Sequence, residues 1–138
     1  MEIIKGGVNA PAGFEAAGIE AGIKYKNRKD MAIIYSQRPC VAAATFTSNI
    51  VKAAPVRWDR EMIDNSPFVQ AVIINTGIAN AGTGAEGYEA CRVTAEEAGR
   101  ILGIPVESVL VGSTGVIGPQ LPMDRIREGP GSQKPWSR

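Results

Sequence analysis

Eight residues in the middle of the chain, Phe68 to Asn75 (FVQAVIIN), are β-branched and almost wholly apolar. A strand carries that pattern when both of its faces are covered, so the segment predicts a central strand inside a layered α/β arrangement. The clearest helix follows it, from Gly87 to Leu102. Tyr88, Cys91, Ala95, Ala98 and Leu102 recur there at steps of three and four and form one apolar stripe, while Glu89, Arg92, Glu96 and Arg100 lie elsewhere. Gly103 supplies the stop, and the small residues in the stripe let the helix lie close against a sheet.

The remaining elements are read around this pair. Met31 to Ser36 (MAIIYS) and Cys40 to Phe46 (CVAAATF) are apolar runs joined by QRP, which predicts a hairpin. Pro55 suits the first turn of a short helix over APVRWDREMID. Pro105 to Ser108 predicts one helical turn and Val109 to Val111 a short strand. Pro122 then starts a further helix, PMDRIRE, with Asp124 in its first turn, where the helix dipole favours an anion. The fold class expected is α/β, a mixed sheet covered by helices. Residues 1–128 read as one domain. Residues 129–138 (GPGSQKPWSR) read as an atypical, disordered tail, natural or left by a truncation or frameshift, in which glycine and proline break the helix.

At 138 residues the chain is long enough to bury roughly two-thirds of its unfolded surface. Fifteen Lys and Arg against fourteen Asp and Glu give a formal net charge of +1, so charge marks out neither a nucleic-acid surface nor a membrane surface. No apolar run approaches the ~20 residues of a membrane span, and MEIIKGG lacks the apolar core of a signal peptide. The expectation is a soluble, cytoplasmic chain. Cys40 and Cys91, without a CxxC spacing, read as free buried thiols. Histidine is absent altogether, which removes a histidine base and the usual histidine zinc site from this chain.

Three small-residue stretches could carry chemistry. Gly82, Gly84 and Gly87 satisfy G-x-G-x-x-G, but a dinucleotide fingerprint needs its first glycine at the end of the strand, and here the strand ends seven residues earlier. A flexible connection explains the glycines better. Asn75 to Gly84 (NTGIANAGTG) reads either as a pocket wall or as a turn in which Asn and Gly supply positive φ. Lys52, in NIVKAAPV, reads either as a ligand-facing amine or as a solvated lysine. In Val111 to Pro122 (VGSTGVIGPQLP), Thr114 and Gly115 set a hydroxyl beside an unobstructed backbone N–H. That is the equipment of an oxyanion hole, and it is equally the composition of a structural turn.

Taken in order, GGVNAPAGFEAAGIEAGIK, AAATFTSNIVKAAPV, NTGIANAGTGAEG and GSTGVIGPQLPMDRI resemble the first part of the glutamate N-acetyltransferase family, also called ornithine acetyltransferase, of arginine biosynthesis. The resemblance runs from about Gly6 to Glu128. It implies acetyl transfer from N2-acetyl-L-ornithine to L-glutamate, with acetyl-CoA a further donor in some members, and no cofactor. It also implies a precursor that cuts itself before a threonine, whose new N-terminal residue is the nucleophile and whose amine is the base. This chain resembles the N-terminal α piece, part of a layered α/β/β/α sandwich completed by the C-terminal β chain in a hetero-oligomer of α and β chains. Thr114 and Gly115 fall on the oxyanion-hole positions of that family. Ile78 and Gly82 depart from its pattern, which often has Asn and Cys there. The cleavage threonine lies beyond Arg138, so the chain is expected to be inactive alone. The alternative expectation is a non-catalytic small-ligand-binding or interaction domain that keeps the fold.

Overall fold

The computed structural model describes residues 3 and 5–132, the backbone alone over 129–132. Four strands form one sheet in the order β1 (Phe14–Ile19), β2 (Met31–Cys40), β3 (Val69–Asn75) and β4 (Val109–Ser113). The first three run antiparallel, and β3 and β4 run parallel, joined by the crossover helix that a parallel pair requires. That crossover is α2 (Gly84–Leu102), followed by a 3-10 turn at Val106–Ser108; α1 (Ala54–Asn65) precedes β3 and α3 (Met123–Ser132) follows β4. The architecture is the expected mixed α/β sheet with helices.

Alternation along β3 decides where the core lies. Val69, Ala71, Ile73 and Asn75 are buried, while Gln70, Val72 and Ile74 between them are only half-buried. Of these, Ala71 and Ile73 join Met31 and Ile33 of β2 and Val109 and Val111 of β4 in one core with Trp58, Cys91, Ala95 and Ala98 of the helices. Among the described residues one face of the sheet is therefore covered. The expectation that FVQAVIIN is covered on both faces is corrected to that extent, and its other face shows Ile34, Val72, Ile74 and Leu110 half-buried.

The hairpin expected across QRP is also corrected. β2 continues through Gln37, Arg38 and Pro39 to Cys40, and its partners are β1 and β3. The register against β3 shifts between Tyr35 and Cys40, a bulge in which Pro39 need not donate to a ladder. The run after Cys40 forms no strand, and Cys40 is half-buried rather than buried. α2 meets its expectation closely. Gly103 ends it in the left-handed conformation, its N–H bonded to the Gly99 carbonyl, and Gly99 lets the following turn close in: a Cβ there would stand 2.9 Å from the Ile104 carbonyl oxygen. α3 runs through Ser132, four residues past the break that Gly129 and Pro130 predict; positions 133–138 of the atypical tail lie outside the described residues. No helix in the described residues is long and apolar enough to cross a membrane.

α1 seals the outer edge of β4. Trp58 Nε1–H donates to the Val109 carbonyl (3.0 Å), and Asp59 Oδ1 accepts the Val111 N–H (2.8 Å). Burial pushes the Asp59 carboxyl up to about 6, more than the Val111 bond lowers it. The folded pKa then lies above the unfolded value, so the protonated carboxyl is the form that folding favours. Its contribution is complete below about pH 4 and is lost as pH rises through about 6. A shift of this size corresponds to about 3 kcal/mol before solvent screening, and roughly 1–2 kcal/mol after it. Asp59→Asn keeps an acceptor for Val111 and cannot ionise. Urea denaturation at pH 4.5 and 7.5 is expected to show the variant gaining on the parent by most of that amount at the higher pH; a difference independent of pH would contradict this account.

Candidate active site

Because β3 and β4 are parallel, the loops leaving their C-terminal ends emerge side by side, the position where α/β sheets gather ligand-binding segments. The two loops are zipped together. The Thr114 N–H donates to the Asn75 carbonyl (3.1 Å), the Val116 N–H to the Gly77 carbonyl (3.2 Å), and the Ala79 N–H to the Val116 carbonyl (2.9 Å). Ile78 and Val116 consequently form an isolated parallel bridge beyond the end of the sheet. Between the two committed amides, the Gly115 N–H and the Thr114 hydroxyl have no hydrogen-bond partner among the described residues. Both residues are exposed.

Gly115 is required by the zip itself. Its φ is +134°, and a Cβ would stand 2.5 Å from the Gly77 oxygen and 2.6 Å from the Ile78 nitrogen. Gly77, at φ +105°, is pressed in turn from the far side, where a Cβ would lie 2.9 Å from the Lys24 Cβ. Lys24 belongs to the loop between β1 and β2, which Asp30 holds in shape. Asp30 is 2% exposed; its Oδ1 accepts the Ala21 N–H (2.7 Å) and the Gly22 N–H (3.3 Å), and its Oδ2 accepts the Ile23 N–H (2.6 Å).

Below the zip sits a polar network, half-buried at Ser113 and buried at Asn75 and Asn80. Asn75 Nδ2 donates to the Ile78 carbonyl (2.9 Å), and the Ser113 hydroxyl accepts the Asn80 N–H (2.9 Å) while donating to the same Ile78 carbonyl (3.1 Å). Asn80, 2% exposed, spends Nδ2 on the Gly87 carbonyl (2.7 Å) and Cys91 Sγ (3.2 Å), and its Oδ1 accepts the Thr83 hydroxyl (2.5 Å). A Cβ on Gly87 would overlap both Asn80 Oδ1 and Thr83 Oγ1. The third glycine of the GTGAEG pattern thus makes room for the chain's own side chains at the start of α2, which explains it without a nucleotide. Burial, with the Asp59 carboxylate adding to it, pushes the Cys91 thiol up to about 12, so Cys91 is a protonated core side chain.

Of the positions singled out in the sequence, Thr114 and Gly115 stand together as a hydroxyl beside an N–H, neither partnered among the described residues, able to hold an oxygen that becomes negative. Asn75 to Gly84 is the other side of the zip, and Gly77 and Gly82 supply the positive φ of the turn reading. Lys52 is half-buried and lines a separate cleft of about 610 Å³ with Arg57 and Gly82 to Gly84, and neither Thr114 nor Gly115 lines it. Ser113, Asn80 and Asp30 were not singled out individually. Apart from Thr83, three residues from Asn80, the side-chain partners lie seven or more residues away, in segments that only the fold brings together.

Comparison with known proteins places the chain in a family. Residues 15–134 match the ArgJ family. The arginine biosynthesis bifunctional protein ArgJ of Thermotoga neapolitana is 52% identical over 120 residues, 86% of this chain and 30% of that protein; the namesake from Gloeobacter violaceus is 47% identical over 127 residues, 92% and 31%. Among solved structures, the ArgJ protein of Bacillus halodurans aligns with a TM-score of 0.84 at 41% identity, covering 89% of this chain and 64% of that one. The ornithine acetyltransferase of Mycobacterium tuberculosis, solved with ornithine, aligns with a TM-score of 0.83 at 44% identity, covering 89% and 66%. The chain is an α/β segment built like those of arginine-biosynthesis bifunctional proteins. It belongs to the ArgJ family, and it spans about a third of the length of the curated relatives it matches.

Proposed function

We propose that this chain is the N-terminal portion of an acetyltransferase that moves the acetyl group of N2-acetyl-L-ornithine to L-glutamate, and that Thr114 and Gly115 form its oxyanion hole. The observation that carries this reading is the pairing of one hydroxyl and one N–H, unpartnered among the described residues, on a backbone locked at both sides. A threonine on the C-terminal part of the same precursor attacks the acetyl carbonyl, and its own amine takes the proton. The carbonyl oxygen becomes negative and rests on the two donors. The bond to the ornithine nitrogen then breaks, the proton passes to the leaving amine, and the acetyl group stays on threonine until the glutamate amine takes it. Such a pair is rigid before the reaction, which is why it favours the charged intermediate over the neutral substrate.

The partner in this reading is the C-terminal β chain, assembled with this portion in a hetero-oligomer. The half-buried apolar face of Ile34, Val72, Ile74 and Leu110 supports that docking, because apolar faces of this kind are covered in layered folds. The test is ornithine release from N2-acetyl-L-ornithine and glutamate, with acetyl-CoA as donor in a parallel arm. In the longer protein Thr114→Ala is expected to lower kcat roughly 10²- to 10³-fold, the usual effect of deleting one such donor. This chain alone is expected to release no ornithine. Full activity in the variant, or turnover by the chain alone, would overturn the assignment; ligand binding without turnover in the longer protein would select the non-catalytic alternative.

A further inference from the structure

The regular β3–β4 ladder ends at Asn75 and Ser113, one residue before the donors. From that point on, the Thr114 N–H holds the Asn75 carbonyl at the end of β3, and two further backbone hydrogen bonds join the loop after β4 to the loop after β3. The Ser113 hydroxyl adds two more from a single atom: it accepts from the Asn80 N–H at 2.9 Å and donates to the Ile78 carbonyl at 3.1 Å. It therefore grips the facing loop on both sides of Ala79, the residue whose N–H closes the bridge to Val116. Ile78, in turn, is one of the two residues against which Gly115 is pressed. A displacement of Ile78 moves the wall that sets where the Gly115 N–H stands.

We infer that Ser113 is a positioning residue, whose hydroxyl fixes the Ile78–Asn80 backbone and through it the place of the Thr114 and Gly115 donors. The inference rests on the oxyanion-hole reading of those two residues. Ser113 touches neither substrate nor reacting atoms in this account. Its contribution is felt in the transition state, where donor placement within a fraction of an ångström sets the rate.

Ser113→Ala removes both bonds with one oxygen atom, and Ser113→Thr restores a hydroxyl at the same place. Both are measured in the longer active protein with N2-acetyl-L-ornithine and glutamate, alongside the parent and with melting temperature as a second readout. The expected result is a kcat roughly 10- to 100-fold lower in Ser113→Ala with KM for both substrates within twofold, a melting temperature close to the parent's, and most of the kcat recovered in Ser113→Thr. An unchanged kcat in Ser113→Ala beside an active parent overturns the inference and leaves the proposed activity standing. Loss of activity that tracks loss of the fold, without recovery in Ser113→Thr, also overturns it, since the hydroxyl would then serve stability alone. A parent that releases no ornithine overturns the proposed activity itself, and the inference with it.

Discussion

Gly115→Ala is expected to be among the most damaging single substitutions available in this chain, in stability and in rate together. The backbone at φ +134° already excludes a side chain at a cost of roughly 1–3 kcal/mol. Overlap with the Gly77 oxygen and the Ile78 nitrogen adds a further ~1–3 kcal/mol, because the obstacles are backbone atoms pinned by the zip and cannot turn aside. The combined loss is about 2–6 kcal/mol, with the activity of the longer protein falling at least ~10²-fold as the donor moves. Gly118 is the internal control. Its φ is +120°, yet a Cβ there would meet nothing within 4 Å, so Gly118→Ala is expected to cost only the backbone strain. Urea denaturation of the two variants measures the difference. Equal losses would show that crowding against Gly77 is unimportant.

Replacement of Asp30 should come second. Its carboxylate accepts three backbone N–H groups while almost fully buried, and hydrogen bonds to a charged acceptor contribute roughly 1.5–3 kcal/mol each. Asp30→Asn is nearly isosteric but replaces one acceptor oxygen by an NH2 group, which would face N–H donors. The expectation is a loss of about 3 kcal/mol, close to that of Asp30→Ala, together with faster amide exchange at Ala21 and Ile23. An asparagine variant as stable as the parent would refute the three-acceptor account. Because Lys24 sits against Gly77, loosening this loop should also blunt activity, although less than Gly115→Ala does.

These two residues also mark what can be read from the sequence. Gly115 lies in a stretch whose hydroxyl and glycines suggest a site by composition, and the helix over Gly87 to Leu102 announces itself by spacing alone. Their signals are local. Asp30 reads as one polar residue before a strand, and its importance comes from N–H groups seven to nine residues back that a turn folds over it. β1 is hidden for a related reason: FEAAGI is rich in small residues with weak strand preference, and its pairing with β2 is what makes it a strand. Pro39 suggested a turn because a proline interrupts most ladders, and only the shifted register against β3 accommodates it. The free donors at Thr114 and Gly115 belong to both kinds. The residues are visible in the sequence, whereas their lack of partners depends on which neighbouring amides the NTGIAN loop claims.

The capping of β4 by Trp58 and Asp59 has a consequence for how this polypeptide can be built upon. An added strand pairs by finding carbonyls and amides unclaimed along an edge, and the Val109 carbonyl and the Val111 amide are already held by α1. A newcomer on that flank would have to evict an indole and a carboxylate before forming its first bond. Lateral extension, including the edge-to-edge association that begins aggregation, is thereby hindered at this point of β4, and among the described residues the β1 edge and the half-buried face of the sheet carry no such cap.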